Sequence, residues 1–394
     1  MNFDEVVERR GTNSYKWDQV EKLFGSAEVL PMWVADMDFQ APESVRSALA
    51  DRVAHGVFGY GAKPQSYLDS ILAWLQKRHA WVVPQSWLAY SPSVLTSLAI
   101  LLEIYTKTGD GVILQTPVYH AFFHVIRGNE RKVVENSLRY QDGRYTMDFE
   151  DLEEKLKAGA KVMVLCSPHN PVGRVWEPEE LRKVGELCLK YKVPVISDEI
   201  HFDLVMDGHR HTVFSSLSEK LAQNSVTLFS ITKTFNLAGI HTSTAVIAND
   251  HVRRQFNFRL NSLNLGMESA FSPIATEAAY TGGVEWLNEV RKYVQDNYEF
   301  MCAFVAEKMP QIKVAPLEAT YLAWLDVSEL GMNGEELKAW MYQEAKVALN
   351  EGSAFGKSGE GFLRLNLACP RAILVEGLNR MAASLVGKTS MRTK

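Results

Sequence analysis

The sequence predicts an α/β fold, with a large domain built on a mainly parallel sheet flanked by helices and a smaller α+β domain. Between about residues 93 and 248, short apolar runs of strand length alternate with amphipathic helical patterns such as 94–105 and 178–191. That alternation is typical of a parallel sheet with helices on both faces. Polar residues directly follow several of the apolar runs, where sheets of this kind place their ligands.

The division into two domains follows from the pattern near residue 285. A long helical pattern at 284–309 marks the point where we expect the chain to leave the large domain. Beyond it the patterns predict two strands and a helix, at 321–326, 361–367 and 334–345. We therefore expect residues 45–285 to form the large domain, and residues 1–44 with 286–394 to form the small one.

Composition bounds the class of protein. The 394 residues are 46% hydrophobic, which suffices for two well-filled cores. The net charge is −5 with both signs interspersed, so neither nucleic acid nor a membrane surface is an expected partner. Four widely separated cysteines favour reduced thiols over disulfides or a zinc site. The first residues lack the regions of a signal peptide, and we expect a cytoplasmic location.

Three strand ends carry the main chemical signal. The apolar runs predicted to be buried strands lie at 162–166, 193–197 and 226–230. An amide, a carboxylate and an amine follow them in order, on Asn170, Asp198 and Lys233. A pyridine-ring cofactor needs these groups, as partners for its phenolic oxygen and ring nitrogen and as a Schiff-base lysine. Taken singly, each of these residues is more typical of a turn or an exposed surface. The occurrence of all three in order, each after a predicted buried strand, favours cofactor binding instead.

Six segments carry a family resemblance, at 33–39, 55–60, 166–176, 198–201, 362–366 and 369–371. Together they resemble the fold-type-I pyridoxal 5'-phosphate (PLP) enzymes of the aspartate aminotransferase superfamily. Within it they are most similar to the MalY/PatB group of carbon–sulfur lyases, usually called cystathionine β-lyases. The similarity extends from about residue 33 to about residue 371. It implies PLP as the cofactor and the PLP-dependent transferase fold, whose large domain holds a sheet of the seven-stranded type.

The resemblance assigns roles around the cofactor ring. It implies that Lys233 is the Schiff-base lysine and that Asp198 keeps the ring nitrogen protonated. Asn170 would contact the phenolic oxygen, and Tyr119 would stack on the ring. His201 stands where many aminotransferases have a tyrosine, and a histidine is what the MalY/PatB group has. We therefore expect His201 near the cofactor.

The phosphate site is expected at the start of the helix near residue 94. Ser93 is a plausible N-cap, and the first amides of a helix can hold a dianion. The resemblance implies that Val94 and Leu95 contribute these backbone N–H groups and that Ser230 binds phosphate through its hydroxyl.

One departure from the superfamily affects this phosphate site. Many members have an arginine or lysine eight residues after the Schiff-base lysine, whereas this chain has His241. Phosphate binding then depends more on hydroxyls, amides and a neighbouring subunit. Tyr60 matches a tyrosine that reaches the phosphate across a dimer interface in this group. The resemblance thus implies a homodimer.

A substrate carboxylate clamp is predicted at the second strand of the small domain. Arg364 shares one strand face with Phe362 and Asn366, while leucines occupy the other, which should be buried. An arginine fork suits bidentate capture of a carboxylate, although the pattern alone also fits a surface arginine. The resemblance assigns Arg364 to the α-carboxylate clamp and the backbone near Val34 and Ala35 to its opposite side.

The implied reaction is α,β-elimination of L-cystathionine or related L-cysteine S-conjugates to pyruvate, ammonia and a thiol. Lys233 would act as the general base. A PLP-dependent aminotransferase would use the same residues, so their spacing leaves that alternative open. A regulatory binding protein that acts through a protein partner is an alternative of another class. No metal is expected, because His209 and His211 lack a third ligand at a recognised spacing.

Overall fold

A computed structural model describes residues 1–386 of the chain, so residues 387–394 of the predicted small domain lie outside the described part. The strands are β1 (Leu30–Pro31), β2 (Leu88–Ser91), β3 (Gly111–Leu114), β4 (Lys132–Glu135), β5 (Arg139–Gln141), β6 (Arg144–Thr146), β7 (Val162–Cys166), β8 (Val195–Asp198), β9 (Ser225–Phe229), β10 (Ser243–Ile247), β11 (Lys313–Val314), β12 (Leu322–Asp326), β13 (Val347–Ala348), β14 (Asn350–Glu351) and β15 (Phe362–Asn366).

Helices separate most of these strands. They are α1 (Tyr15–Asp18), α2 (Val20–Phe24), α3 (Glu43–His55), α4 (Gln65–His79), α5 (Val94–Tyr105), α6 (Ala121–Gly128), α7 (Phe149–Lys157), α8 (Pro178–Tyr191), α9 (Glu219–Gln223), α10 (Ile231–Thr234), α11 (Asp250–Ser262), α12 (Ser272–Gly282), α13 (Val284–Lys308), α14 (Gly334–Ala339) and α15 (Arg371–Leu385). Over residues 1–386, every helix is too short or too polar to traverse a lipid bilayer.

The central sheet has seven strands in the order β2-β10-β9-β8-β7-β3-β4. The pairs from β9 through to β4 are parallel, while β10 runs antiparallel to both β2 and β9. The predicted α/β class with a mainly parallel, seven-stranded sheet is confirmed. Because β7, β8 and β9 are adjacent and parallel, their carboxyl ends meet at one edge of the sheet.

Helices cover both faces of this sheet, as the side chains of β7 demonstrate. Val162, Val164 and Cys166 pack in one buried cluster with residues of α5, α6 and α11. Met163 and Leu165 pack in another with residues of α7 and α8. Successive side chains of a strand point to opposite faces, so a strand buried on both faces is apolar throughout.

A second sheet of four antiparallel strands, in the order β11-β12-β15-β14, is formed by residues 313–366. The amino-terminal β1 pairs in parallel with β13 of this later region. This pairing joins the first residues to the carboxyl-terminal part of the chain. The boundaries at residues 45 and 285 stay a prediction.

Most predicted elements lie within a few residues of the observed ones, and the differences have local causes. The strand predicted from 193 begins at Val195, because Pro194 has no N–H to donate to a neighbouring strand. The helix predicted at 334–345 is α-helical only over Gly334–Ala339 and continues as a π-helical turn, Trp340–Glu344. Helix α5 begins as expected, since Ser93 Oγ accepts a hydrogen bond from Thr96 N at 3.0 Å.

Candidate active site

A cavity of about 230 Å³ lies at the carboxyl ends of the central strands. Nine of the predicted site residues line it: Ala35, Val94, Leu95, Tyr119, Asn170, Asp198, His201, Ser230 and Lys233. The fold therefore brings together residues that are up to 198 residues apart in sequence, from Ala35 to Lys233. Concave sites of this kind at strand ends are where open α/β sheets bind ligands.

Lys233 lies on the single helical turn α10, which follows β9 directly. Ser230 caps this turn by accepting a hydrogen bond from Thr232 N at 3.1 Å. The ammonium of Lys233 donates to the carbonyl oxygen of Ala35. Burial lowers the pKa of Lys233 to about 8, with a further contribution from the Arg364 charge, while Asp36 and Asp198 oppose this shift. A lysine whose pKa is close to neutral pH supplies the free amine that attack on a carbonyl requires.

Asp198 is the last residue of β8 and lies opposite Cys166 of β7. Its carboxylate is buried and accepts a hydrogen bond from Ile200 N at 3.1 Å. Burial raises the pKa of Asp198 to about 7, and the neighbouring Glu199 charge adds to this shift. A carboxylate in this state gains strongly from a cationic partner, such as a protonated ring nitrogen.

Arg364 is buried, so the alternative of a surface strand arginine is wrong, although Arg364 does not itself line the cavity. It is only 2% exposed. Its Nη1 donates to Asn170 Oδ1 at 3.1 Å, and its Nη2 donates to Trp33 O at 3.0 Å and to Asn350 Oδ1 at 2.7 Å. Its Nε is buried without a hydrogen-bond partner among the described residues. Burial lowers the pKa of Arg364 to about 10, so it stays a cation near neutral pH.

The predicted opposite side of the clamp is a stretch of backbone outside any strand, with bends at residues 34–36 and 38. We name residues 33–38 the wall segment. Ala35 O accepts hydrogen bonds from Lys233 Nζ and from Tyr321 OH, the latter at 2.8 Å. Asn366 Nδ2 donates to Val34 O at 2.7 Å and to Asp36 O. The wall segment is thus hydrogen-bonded to the catalytic candidate and to β15 at once.

Two aromatic side chains complete the ring region of the cavity. Burial lowers the pKa of His201 to about 3, helped by the Lys233 and Arg364 charges, so its imidazole is neutral near pH 7. Its Nδ1 is buried without a partner among residues 1–386. Burial likewise raises the pKa of Tyr119, which lies edge-on to Phe122 with ring centres 5.5 Å apart. Both residues therefore face the cavity as uncharged rings.

The end of the cavity near α5 suits an anion. The amides of Val94 and Leu95 belong to the first turn of α5, where backbone N–H groups have no partner within the helix. Ser230 Oγ donates to Thr242 O at 2.6 Å, so it can donate to a phosphate oxygen only by rotating its hydroxyl. His241, the departure noted in the sequence, lines the same cavity.

Tyr60 is the one predicted cofactor residue that lies outside the cavity of its own chain. It is 95% exposed. Its neighbour Phe58 is also exposed and contacts Phe271, with ring centres 5.7 Å apart. The expected contribution of Tyr60 to a neighbouring subunit stays a prediction.

Sequence reasoning missed several residues of the site. Cys166, Ile200 and Thr242 line the cavity. Tyr321 donates a hydrogen bond to the wall segment, and Asn350 accepts one from Arg364. The first two could have been found, because Cys166 ends a predicted strand and Ile200 lies within the Asp-Glu-Ile-His motif. Tyr321 and Asn350 gave no local signal, since their partners lie far away in sequence. Among residues 1–386, no group of three His, Cys, Asp or Glu residues could hold a metal ion.

The fold and the site together define a class of enzymes in which a buried lysine amine performs carbonyl chemistry at the ends of parallel strands. The chain belongs to the family of class I and II aminotransferases, whose model matches residues 28–380. The resemblance found in the sequence motifs is thereby confirmed at the level of the superfamily.

Individual relatives narrow the similarity. The chain is 45% identical to cystathionine beta-lyase PatB of Bacillus subtilis, over 98% of this chain and all of the relative. It is 35% identical to protein MalY of Escherichia coli, covering 96% and 97% of the two chains. Cystalysin from Treponema denticola, whose crystal structure contains a pyridoxal 5'-phosphate cofactor, superposes with a TM-score of 0.95 at 36% identity, covering 98% of each chain. The predicted MalY/PatB relationship is confirmed.

Proposed function

We propose that this protein is a PLP-dependent carbon–sulfur lyase that cleaves L-cystathionine or related L-cysteine S-conjugates by α,β-elimination. The elimination releases the thiol and aminoacrylate, and the aminoacrylate then takes up one water to give pyruvate and ammonia. The observation that carries the proposal is the buried pair of Lys233 and Asp198, with shifted pKa values, in one cavity. The similarity to a cystathionine beta-lyase over the whole chain selects this reaction within the class.

The residues of the cavity fit PLP. Val94 and Leu95 offer helix amides for the phosphate, and Asp198 offers a carboxylate for the ring nitrogen. Asn170 Oδ1 is engaged by Arg364, which leaves its amide nitrogen as the donor for a phenolic oxygen. When bound, PLP supplies an electron sink for the charge that forms at the substrate Cα.

The chain's own residues then have separable tasks. Arg364 binds the substrate α-carboxylate, using the Nε donor that has no partner among the described residues. Lys233, with a pKa near 8, takes the Cα proton and returns a proton to the leaving sulfur. His201 is neutral near pH 7, so it adds no charge beside the amine of Lys233. Tyr119 supplies an apolar surface that excludes water from one side of the cavity.

The direct test is to give the purified protein PLP and L-cystathionine without any keto acid, and to measure pyruvate and free thiol together. Equal release of both is the expected result. Thiol-free conversion that requires a keto acid would indicate an aminotransferase instead. A Lys233→Ala protein serves as the matched control, because it lacks the base while every other residue that lines the cavity is retained.

The proposal includes a homodimer in which Tyr60 binds the phosphate of the neighbouring subunit. It is supported by an exposed apolar surface that contains Tyr60, Val57, Phe58 and Met267. Such surfaces on folded chains typically mark interfaces. The proposed location is the cytoplasm, and the cysteines without disulfide bonds among the described residues support it.

Mixing two inactive proteins tests the shared site. Lys233→Ala and Tyr60→Ala proteins are unfolded and refolded together, so that mixed dimers form. One of the two sites in each mixed dimer then carries both native residues, and about a quarter of the wild-type activity should return. Refolding each variant alone is the control. No recovery in the mixture would contradict a site shared between subunits.

A further inference from the structure

A cluster of four charged side chains joins the amino-terminal arm, residues 9–17, to the wall segment. Lys16 Nζ lies 2.7 Å from Asp38 Oδ2 and 3.6 Å from Asp36 Oδ1. Arg9 contacts the same two carboxylates, with Nη2 at 2.7 Å from Asp36 Oδ2 and Nη1 at 2.6 Å from Asp38 Oδ1. Trp17 Nε1 also donates to Asp38 Oδ1, at 2.9 Å. Two cations therefore balance two anions.

The cluster is unusual in its burial. The side chain of Lys16 is 1% exposed and that of Asp38 is 2% exposed. Burial opposes ionisation of Asp38, yet the charge of Lys16 lowers the pKa of that carboxyl below its ordinary value. Lysines are almost never buried without a partner, and such ion pairs are often replaceable by apolar residues without loss of stability. The pair therefore calls for an explanation other than stability.

The opposite side of the wall segment supplies that explanation. Its carbonyl oxygens at Trp33, Val34 and Ala35 accept hydrogen bonds from Arg364, Asn366 and Lys233. The segment thus carries carboxylates that bind the arm and carbonyls that bind the site. Asp36 and Asp38 lie only one to five residues along the backbone from these carbonyls, so a displacement at either carboxylate is passed to the site.

We propose that Lys16 and Arg9 are positioning residues, which fix the wall segment against Arg364 and so set the affinity for the substrate α-carboxylate. Neither residue lines the cavity. The inference rests on the proposed function for its substrate, because the clamp formed by Arg364 and the wall is the element being positioned. It goes beyond that function by assigning a task to the amino-terminal arm, residues 9–17.

The first test needs no catalysis. Hydrogen exchange is measured on the cofactor-free protein for the amides of the wall segment, where Met37 N donates to Asn236 Oδ1 and Asp38 N donates to Ala368 O. Lys16→Met, which removes the charge but keeps an unbranched side chain, should raise their exchange rates by about tenfold. The double variant Lys16→Met with Asp38→Asn restores charge balance, so part of the protection should return.

The second test separates positioning from catalysis. In the PLP-loaded protein, Lys16→Met should raise KM for L-cystathionine about tenfold, while kcat and PLP affinity change by less than about threefold. Arg9→Gln, at a partly exposed site that keeps the Lys16–Asp38 pair, should produce a smaller shift in the same direction. It also keeps the proposal testable if Lys16→Met does not fold.

The control is Leu156→Ala, which creates a cavity in α7 far from the wall segment. This variant shows what a general loss of stability does to hydrogen exchange and KM when the charge cluster is intact. If the charge variants change exchange of the wall segment and KM no more than this control does, the pair is merely structural and the proposal is overturned. If the wild type lacks lyase activity, the proposed function fails, and the exchange experiment still decides whether the arm positions the wall.

Discussion

The two halves of the candidate site differ in whether their charged side chains have close partners of opposite sign. The strand-end half consists of Asn170, Asp198 and Lys233, which follow β7, β8 and β9. Burial there pushes the pKa values of Asp198 and Lys233 towards neutrality, to about 7 and about 8. Each charge lacks a close partner of opposite sign, and such groups are ready to react with a ligand.

The wall half consists of the wall segment with Arg364 and the arm that holds it. The charges of the arm and the wall segment are matched, because Lys16 and Arg9 neutralise Asp36 and Asp38 at hydrogen-bonding distance. The hydrogen bonds of Arg364, in contrast, go to uncharged groups. Paired charges of this kind hold a geometry rather than transfer protons. The difference indicates that the strand-end half performs the chemistry and the wall half orients the substrate, and single substitutions should separate these two tasks.

The largest effect is expected at Lys233. Lys233→Ala should lower the rate of pyruvate release by at least about 10³-fold, because the general base and the carbonyl-attacking amine are lost together. The measurement is pyruvate release at saturating L-cystathionine. Lys157→Ala, at an exposed lysine of α7, should leave the rate unchanged. Substantial residual activity in Lys233→Ala would remove the chemistry from the strand-end half.

A substitution at Asp198 should improve stability while it removes function. In the cofactor-free protein the pKa of Asp198 rises from 3.8 to about 7 on folding. The stability that its protonation contributes is full below pH 3.8 and is lost as the pH rises through 7. At pH 8 the wild type therefore keeps a buried charge that Asp198→Asn lacks.

Melting temperatures of the two cofactor-free proteins test this linkage. Asp198→Asn should exceed the wild type at pH 8, and the difference should shrink towards pH 5. Each pKa unit corresponds to about 1.4 kcal/mol, so the gain should amount to a few kcal/mol. Asp51→Asn, at an exposed position of α3, is the matched control. A variant less stable than the wild type at pH 8 would contradict the raised pKa.

The wall half should respond in substrate affinity. Arg364→Lys keeps the positive charge but loses the fork that contacts Asn170, Trp33 and Asn350. We expect KM for L-cystathionine to rise roughly 10- to 100-fold, the effect of losing one or two hydrogen bonds to a charged group. PLP binding, followed by its visible absorbance, should stay close to wild type. An equal loss of PLP affinity would contradict the assignment of separate tasks to the two halves of the site.

The smallest effect is expected at Thr234, the residue that follows Lys233 in the sequence. Thr234 Oγ1 donates to Asp203 Oδ2 at 2.9 Å, and this buried carboxylate also accepts from Trp74 and His79. Thr234→Val should lower the free energy of unfolding by about 1 kcal/mol, because the other two donors remain. Urea denaturation measures it, with Thr108→Val at an exposed position as the control. A change in KM larger than that of Arg364→Lys would reverse the ranking.

The strand-end half could be predicted because its pattern is local. Apolar runs of strand length and the polar residue that follows each of them are adjacent in sequence, and parallel neighbours place those residues at one edge. β7 was predicted at its observed bounds, and β8 and β9 within two residues. Arg364 required the family resemblance, since alternation alone also fits an exposed arginine.

The contacts of the wall could not be predicted in the same way. Arg364 and Trp33 are 331 residues apart, and the hydrogen bond between them depends on how two sheets meet. The same holds for Lys16 and Asp38, which no pattern in the sequence distinguishes from solvated charges. Burial and pKa shifts are properties of the assembled core, because they depend on every element that removes water from a group.

Local periodicity and composition were sufficient to predict the α/β class, the order of the strands along the chain and the chemical groups at their ends. The tertiary structure alone decided which charges are paired and which are left poised to react. The reason is physical: the free energy of a charge depends on the water and the partners around it, and only the folded chain fixes both.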